Sequence, residues 1–246
     1  MNINPKTTII EGNIQMSTSR QAAPSVASSR KIALAAGVLY LLTFVSIPTG
    51  VLYAQIKDPN YIVGPGPDTS VIVGSVLEII VALAGIGTAV ALYPVVKRQN
   101  EGVALGFVGS RVLEASTIFA DVVCLLAIVT LRRAGVGTDA LITGKTLVVL
   151  YSLFRLGQNL MPAVNDLLLG SLLYQSRLVP RVLPLLGLIG APLLLANSIL
   201  TMFGVTGPVF TISAIGVLPI ALWEFSLGVW LTVKGFNPSA IASLSE

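Results

Sequence analysis

Residues 109–129, "GSRVLEASTIFADVVCLLAIV", place three charges inside a stretch that is otherwise apolar enough to cross a membrane. A helix needs about 20 mostly apolar residues to span the hydrocarbon layer of a bilayer. Arg111, Glu114 and Asp121 interrupt this one. A charge at mid-bilayer costs on the order of 3 kcal/mol, so such side chains face the protein interior and find partners there. The stretch therefore predicts a transmembrane helix in a bundle with a polar interior.

The composition of the whole chain is typical of a membrane protein. Of its 246 residues, 54% are hydrophobic and 11% are charged, and the mean hydropathy is +0.87. A soluble domain carries about 25% charged residues, so this chain has too few polar groups to cover its surface in water. The net charge of +4 is modest, and no nucleic-acid partner is predicted. The lipid bilayer is the predicted partner; a protein partner or a small solute stays open.

Six apolar runs follow a polar N-terminal stretch. Only helices satisfy their own backbone hydrogen bonds in lipid, so we expect an all-α integral membrane protein, a six-transmembrane-helix bundle, over residues 31–235. A disordered polar tail is predicted at residues 1–30 and a short C-terminal tail at residues 236–246. The segment after Met16 looks like a natural beginning, so Met16 is a candidate start. The predicted spans are residues 32–54, 71–96, 103–131, 144–174, 182–203 and 209–233.

Lysines and arginines near the span borders predict the orientation. Cytoplasmic borders carry the larger number of these residues. Eight basic residues lie on one side and four on the other, which favours a multi-pass protein of the plasma membrane with both termini in the cytoplasm. The adjacent Arg132 and Arg133 count against this orientation. The eight are Arg20, Arg30, Lys31, Lys97, Arg98, Arg177, Arg181 and Lys234, and the four are Lys57, Arg132, Arg133 and Lys145.

The charges of the third run share one face of the predicted helix. At about 100° per residue, Arg111, Glu114 and Asp121 span an arc of roughly 80°. Arg111 and Glu114 are also i,i+3 neighbours, which can contact each other on a helix. A second polar stripe, within an arc of about 40°, is predicted in the fourth run. It consists of Arg155, Asn159 and Asp166.

Depth in the membrane suggests which of these charges meet. The third and fourth runs are antiparallel, and an α-helix rises 1.5 Å per residue. Arg111 and Asp166 then both lie about 12 Å from the cytoplasmic ends of their helices, and Asp121 and Arg155 lie at about 27 and 28 Å. If the two helices are neighbours, we predict the cross-helix pairs Arg111–Asp166 and Asp121–Arg155.

Two further acids bring the carboxylates into excess. Glu224 in the sixth run lies near the level of Arg111, and Glu78 in the second run near that of Arg155. Five acids then face two arginines. Because an unpaired buried carboxylate is costly, the surplus must be protonated or reached by water or a cation. The candidate site is this intramembrane charged network with one supporting amide: Arg111, Glu114, Asp121, Arg155, Asp166, Glu78 and Glu224, with Asn159.

Two interpretations of the network stay open. The charged pairs fix the order of the helices, or the polar centre handles protons or cations. A small-solute or ion-coupled transporter predicts a wet cavity that meets Glu114 and Asp121. An accessory or structural membrane protein predicts a dry, fully paired interior instead.

An enzyme is not predicted from this sequence. The chain has no histidine and one cysteine, Cys124, which excludes imidazole-based zinc sites and Ser-His-Asp triads. No nucleophile with a neighbouring base is visible either. No cofactor and no metal are predicted.

Several short segments resemble one known family. They are Glu78, "GSRVLEA" at residues 109–115, "LGSLLYQSRLVPRVL" at residues 169–183 and "EFSLGVWLTVKG" at residues 224–235. From about residue 30 to residue 235 the chain resembles the bacterial six-span membrane family catalogued as domain of unknown function 4386. It departs from the family pattern at Pro184, where the pattern has glycine. The resemblance implies an α-helical bacterial membrane protein and implies no activity.

Overall fold

The computed structural model describes residues 26–58, 60–135, 137–205 and 209–244, and these ranges contain helices and turns but no strand. Six helical segments in them are long and apolar enough to cross a membrane, which confirms the predicted all-α, six-span class. The first of these segments, Ser28–Leu52, combines two helices. The helices are α1 (Val26–Leu42), α2 (Thr49–Leu52), α3 (Thr69–Val96), α4 (Glu101–Arg133), α5 (Ala140–Ser176), α6 (Val182–Met202), α7 (Val209–Val233) and α8 (Pro238–Ser243).

Helical structure is present within both segments that were predicted as tails. Helix α1 begins at Val26, so the last residues of the stretch predicted as a disordered tail are helical. The rest of that prediction, with Met16 and Arg20, lies outside the described residues. At the other end, residues 238–243 form α8 where only a tail was predicted. Asn237 caps this helix by accepting a hydrogen bond from the backbone N–H of Ser239, and the apolar Ile241 is buried.

The six spans form a ring whose order follows the chain. Each span packs against the next one in sequence, and α7 closes the ring against α1. The seam between α1 and α7 is tight: a Cβ atom added to Gly37 would lie 2.6 Å from the backbone nitrogen of Thr232. Near the beginning of α1, Arg30 also contacts α7, because its Nη2 donates a hydrogen bond to the carbonyl of Thr232 at 2.8 Å. All six spans therefore border one common interior.

The first span is broken near its middle. Helix α1 stops at Leu42, a 3-10 turn covers Thr43–Ser46, and α2 follows Pro48. Pro48 has no N–H to bond to the carbonyl of Phe44 four residues earlier, and its ring clashes with that carbonyl in an α-helix, which explains a break at this point. After the break, the chain packs mainly against α3. Hydroxyl groups of the broken segment are thereby placed beside the interior of the ring.

Apolar layers lie toward both ends of the ring. We call the end where α1 begins and α7 ends the tail end, and the end near residues 53–68 the cap end. Leu92, Phe107 and Leu173 belong to the core cluster toward the tail end. Leu125 and Ile128 belong to the cluster toward the cap end. The polar side chains of the spans lie between these two layers.

An ion-paired cluster around Asp68 holds the cap. Asp68 Oδ1 accepts a hydrogen bond from Arg132 Nε at 2.7 Å, and Oδ2 accepts one from Arg133 Nε at 2.8 Å. The Tyr61 hydroxyl donates to Asp68 Oδ1 at 3.1 Å. The hydrogen bond from Arg132 is the largest of the effects that lower the pKa of Asp68 to about 2. Arg132 and Arg133, which we used only as orientation signals, therefore fasten the loop between α2 and α3 to the end of α4.

Candidate functional site: a charged cavity at the centre of the ring

Arg111 lies at the centre of the first charged cluster and joins two carboxylates. Its Nη1 donates to Glu114 Oε2 at 2.9 Å, one turn along the same helix. Its Nη2 donates to Glu224 Oε1 of α7 at 2.8 Å. The Arg111 and Glu114 side chains are 4% and 11% exposed, so this contact is shielded from the surroundings of the protein. One guanidinium thus faces two acids here.

Neutral side chains complete this Arg111 cluster. Asn165 Nδ2 on α5 donates to Glu114 Oε2 at 2.8 Å, and Asn165 Oδ1 contacts the hydroxyl of Ser110. The hydroxyl of Tyr40 on α1 accepts from Arg111 Nη2 at 3.3 Å, and the Tyr40 ring lies 5.4 Å from the guanidinium carbon. The cluster therefore ties together α1, α4, α5 and α7.

Glu78 on α3 lies at the centre of the second charged cluster. Its Oε1 accepts a hydrogen bond from Arg155 Nη1 of α5 at 3.2 Å, and its Oε2 accepts one from Gln158 Nε2 at 3.0 Å. Thr49 Oγ1, next to the break in the first span, lies 3.0 Å from Glu78 Oε1. The carboxylate is fully buried, whereas the Arg155 side chain is 31% exposed.

Asp121 also belongs to this Glu78 cluster, but only loosely. The predicted Asp121–Arg155 pair is present as a long contact of 3.9 Å. Both carboxyl oxygens of Asp121 are buried and have no hydrogen-bond partner among the described residues. Arg155 lies nearer to Glu78, because α3 packs beside α4 and brings the longer glutamate side chain to the guanidinium.

The predicted Arg111–Asp166 pair is wrong. Asp166 Oδ1 accepts a hydrogen bond from the indole Nε1 of Trp223 at 3.0 Å. Within the described part of the chain, Asp166 forms no ion pair, and its Oδ2 has no hydrogen-bond partner. Equal depth does not decide the direction in which a side chain leaves its helix: Arg111 turns toward Glu224, whereas Asp166 points to the neighbouring Trp223 on α7.

A cavity of about 270 Å³ lies between the two clusters and is lined by residues of all six spans. It has room for several water molecules or a small solute. The transporter interpretation predicted a cavity that meets Glu114 and Asp121; this one meets Glu114 but is not lined by Asp121 or Asp166. Asn159, the predicted supporting residue, also lines it. The charged lining residues are Glu78, Arg111, Glu114, Arg155 and Glu224.

Sequence-based prediction missed the neutral partners of these charges. Thr49, Gln158 and Asn165 hydrogen-bond or contact the carboxylates, and only Asn159 was singled out beforehand. Gln158 and Asn165 were detectable as amides near the charged stripe of α5, because such groups are rare in apolar spans. Thr49 gave no such signal, since hydroxyl residues in spans usually bond to their own helix.

Each of the two arginines has two carboxylate partners. Two guanidiniums each contact two carboxylates, at 2.8 and 2.9 Å for Arg111 and at 3.2 and 3.9 Å for Arg155. Within the described ranges, no three side chains of His, Cys, Asp or Glu are grouped so as to hold a metal ion. A proton, water or small cation that enters the cavity can reach carboxylates of both clusters.

These features define a polytopic α-helical membrane protein with a charged central cavity. A family model described as Domain of unknown function (DUF4386) matches residues 35–235, and the chain belongs to this family. Comparison with curated proteins and with solved structures gives no match. The description of the family states no activity.

Proposed function

We propose that the protein handles protons or small monovalent cations in its central cavity, as a small ion-coupled membrane transporter. The observation that carries the proposal is the position of the cavity, which touches all six spans and lies between two clusters that each hold two carboxylates and one guanidinium. Intramembrane acids and bases that face a cavity are the usual groups of ion pathways and proton relays.

The excess of carboxylates supports a cationic guest. Glu114 and Glu224 share Arg111, and each guanidinium can neutralise one carboxylate. Two charges of one sign beside a single opposite charge are unfavourable in a poorly solvated interior. A proton or a small cation bound next to Glu224 restores neutrality. Glu224 suits this role because its side chain is 15% exposed and lines the cavity.

The Glu78 cluster can couple the binding of a proton or cation in the cavity to the contacts between helices. Arg155 has two acidic partners on different helices, Glu78 at 3.2 Å and Asp121 at 3.9 Å. When a proton or cation neutralises Glu78, the attraction to Arg155 falls and Asp121 becomes its better partner. Such an exchange shifts α5 relative to α3 and α4 by a small distance, which is the kind of two-state contact that gating requires.

The structural alternative, in which the charges only fix helix order, predicts a dry and fully paired interior. The cavity does not fit a dry interior, and the carboxyl oxygens of Asp121 and Asp166 that have no hydrogen-bond partner among the described residues do not fit a fully paired one, which favours ion handling over that alternative. The alternative also predicts that neutralising Glu224 changes stability and nothing else.

Flux through proteoliposomes tests the proposal. The purified protein is reconstituted into liposomes that contain a dye sensitive to pH, Na⁺ or K⁺, and a gradient of the matching ion is applied to each preparation. We expect the wild type to dissipate at least one gradient faster than protein-free liposomes. Glu224→Gln should slow this flux strongly, because it removes a cavity carboxylate while keeping the size of the side chain.

Glu101→Gln is the matched control, since Glu101 is also an acid at a helix position but contacts Tyr93 in an exposed pair outside the cavity. It should leave the flux unchanged. If wild-type liposomes match protein-free ones for all three gradients, and these ions do not alter the melting temperature either, the protein does not handle them and the structural alternative holds.

A further inference from the structure

A second pocket lies at the tail end, away from the central cavity. It has a volume of about 590 Å³ and is formed by the turn between α5 and α6, the last part of α7 and the residues leading into α8. The backbone N–H of Asn237 donates to the carbonyl of Leu178 at 2.8 Å, which ties the two turns together. The turns lie in or next to residues 169–183 and 224–235, two of the segments through which the sequence resembles its family. Neither turn lines the central cavity.

The pocket has a basic rim and an apolar floor. Arg177, Arg181 and Lys234 line it, and all three are exposed. Its floor includes Leu178 and Val179, which are fully or almost fully buried. Among the described residues, no aspartate or glutamate lines the pocket, and three positive charges surround the concavity.

Arg181 is held in position but keeps donors for a ligand. Its Nε donates to the backbone carbonyl of Tyr174 at 3.3 Å, and its guanidinium lies 4.9 Å from the centre of the Tyr174 ring. These contacts leave its two Nη groups without a partner among the described residues. Arg30, at the same end, differs: both of its Nη groups are bonded to the final carbonyls of α7, so it belongs to the seam and not to this pocket.

Trp230 adds a neutral donor. Its indole lines the pocket, and its Nε1 atom is buried with no hydrogen-bond partner in the described part of the chain. A buried indole N–H normally finds an acceptor, because leaving it unbonded costs free energy. An acceptor that enters the pocket and reaches this N–H would satisfy it.

We propose that this pocket binds a phosphate group, carried either by an anionic phospholipid headgroup or by a soluble phosphate ester. Guanidinium groups match phosphate in geometry and charge, and an ammonium group adds a point charge. Orientation signals at a membrane border need only positive charge near the surface. Basic residues that only set the orientation of the protein in the membrane would need neither a concave site nor a buried indole donor, and this pocket has both.

Ligand titration of the purified protein tests the pocket. The affinity for phosphatidylglycerol is compared with that for phosphatidylcholine in mixed micelles, and glycerol phosphate is titrated separately as the soluble probe. We expect phosphatidylglycerol to bind more tightly than phosphatidylcholine. Arg181→Gln should weaken its binding by roughly fivefold, the effect of one basic residue near an anionic membrane surface.

Two further variants separate a pocket from general surface charge. Lys31→Gln removes one exposed charge at the same end without touching the lining, and it should change the affinity much less than Arg181→Gln. Trp230→Phe keeps an aromatic ring but removes the N–H donor, and it should weaken binding by a few-fold.

The outcome identifies the source of the phosphate. Tight, Arg181-dependent binding of glycerol phosphate, without a preference among lipids, assigns the pocket to a soluble ester; the reverse result assigns it to a headgroup. The proposal is overturned if Lys31→Gln and Arg181→Gln weaken binding equally, or if neither probe binds more tightly than phosphatidylcholine. Neither result depends on ion flux through the central cavity.

Discussion

The cap cluster and the central clusters use the same residue types in opposite proportions. At the cap, two arginines hold one aspartate, and both oxygens of Asp68 accept short hydrogen bonds. At the centre, two arginines contact four carboxylates, and both oxygens of Asp121 lack a hydrogen-bond partner among the described residues. Asp68 does not line the pocket beside Tyr61 at the cap end, whereas Glu78, Glu114 and Glu224 line the central cavity. The carboxylate at the cap is thus fully hydrogen-bonded, whereas the carboxylates at the centre outnumber their arginines, and it is there that we propose an exchange of ion-pair partners.

Removing the central arginine should have the largest effect. Arg111→Met leaves Glu114 and Glu224 buried without their cation. Breaking a buried pair from one side costs about 3 to 5 kcal/mol, so we expect a large loss of folded protein in detergent, measured by thermal unfolding. Adding Glu224→Gln to this variant should restore part of the loss. No rescue would mean that the guanidinium acts mainly through its packing on Tyr40.

Arg155 should matter less, because it is partly exposed and its contacts are longer. We expect Arg155→Met to destabilise by about 2 kcal/mol, as for the loss of a charge-assisted hydrogen bond. A second substitution identifies the main partner: Glu78→Gln should rescue this variant better than Asp121→Asn. Equal rescue by both would show that the two acids share Arg155 evenly.

Neutralising Asp68 tests the cap and carries a pH signature. Asp68→Asn should destabilise by about 1.5 kcal/mol, discounted for nearby solvent. The Arg132 hydrogen bond lowers the pKa of Asp68 from 3.8 to about 2. The carboxylate therefore contributes its full stability above pH 3.8, and loses it as the pH falls toward 2. The difference in stability between wild type and variant should vanish over this interval; a difference independent of pH would contradict the assignment.

The same substitution at Asp121 should have the smallest effect. Asp121→Asn removes a charge that accepts no side-chain hydrogen bond among the described residues. We expect stability to change by less than about 0.5 kcal/mol, or to rise, because a poorly paired buried charge is itself costly. Thermal unfolding of both Asp→Asn variants under one condition gives the comparison directly. A loss at Asp121 as large as that at Asp68 would remove the distinction between the two regions.

The spans and their inward charges were predictable because hydropathy and helical periodicity act locally. The contact between Arg111 and Glu114 follows from their i,i+3 spacing alone. Depth arithmetic also placed Glu224 near Arg111 and Glu78 near Arg155, and these contacts are present. Local sequence patterns were therefore sufficient to predict the fold and the depth of most of the charged residues in the membrane.

The choice of partners was not predictable in the same way. Each arginine was assigned to an aspartate of the neighbouring run, yet its closest partner on another helix is a glutamate from α7 or α3. That choice depends on which spans flank each other in the ring and on the direction in which a side chain leaves its helix. Neither is encoded in the spacing of charges along one span, and the Asp166–Trp223 contact shows the result.

The seam between the first and last spans has a consequence for biogenesis. Arg30 and the carbonyl of Leu231 that it binds are 201 residues apart, so the first span is inserted long before its partner is synthesised. Until then Arg111 lacks Glu224, and the barrel of helices stands open on one side. Assembly of the charged interior is thus complete only after α7 has been synthesised, and we expect a nascent chain truncated before α7 to leave Arg111 without Glu224.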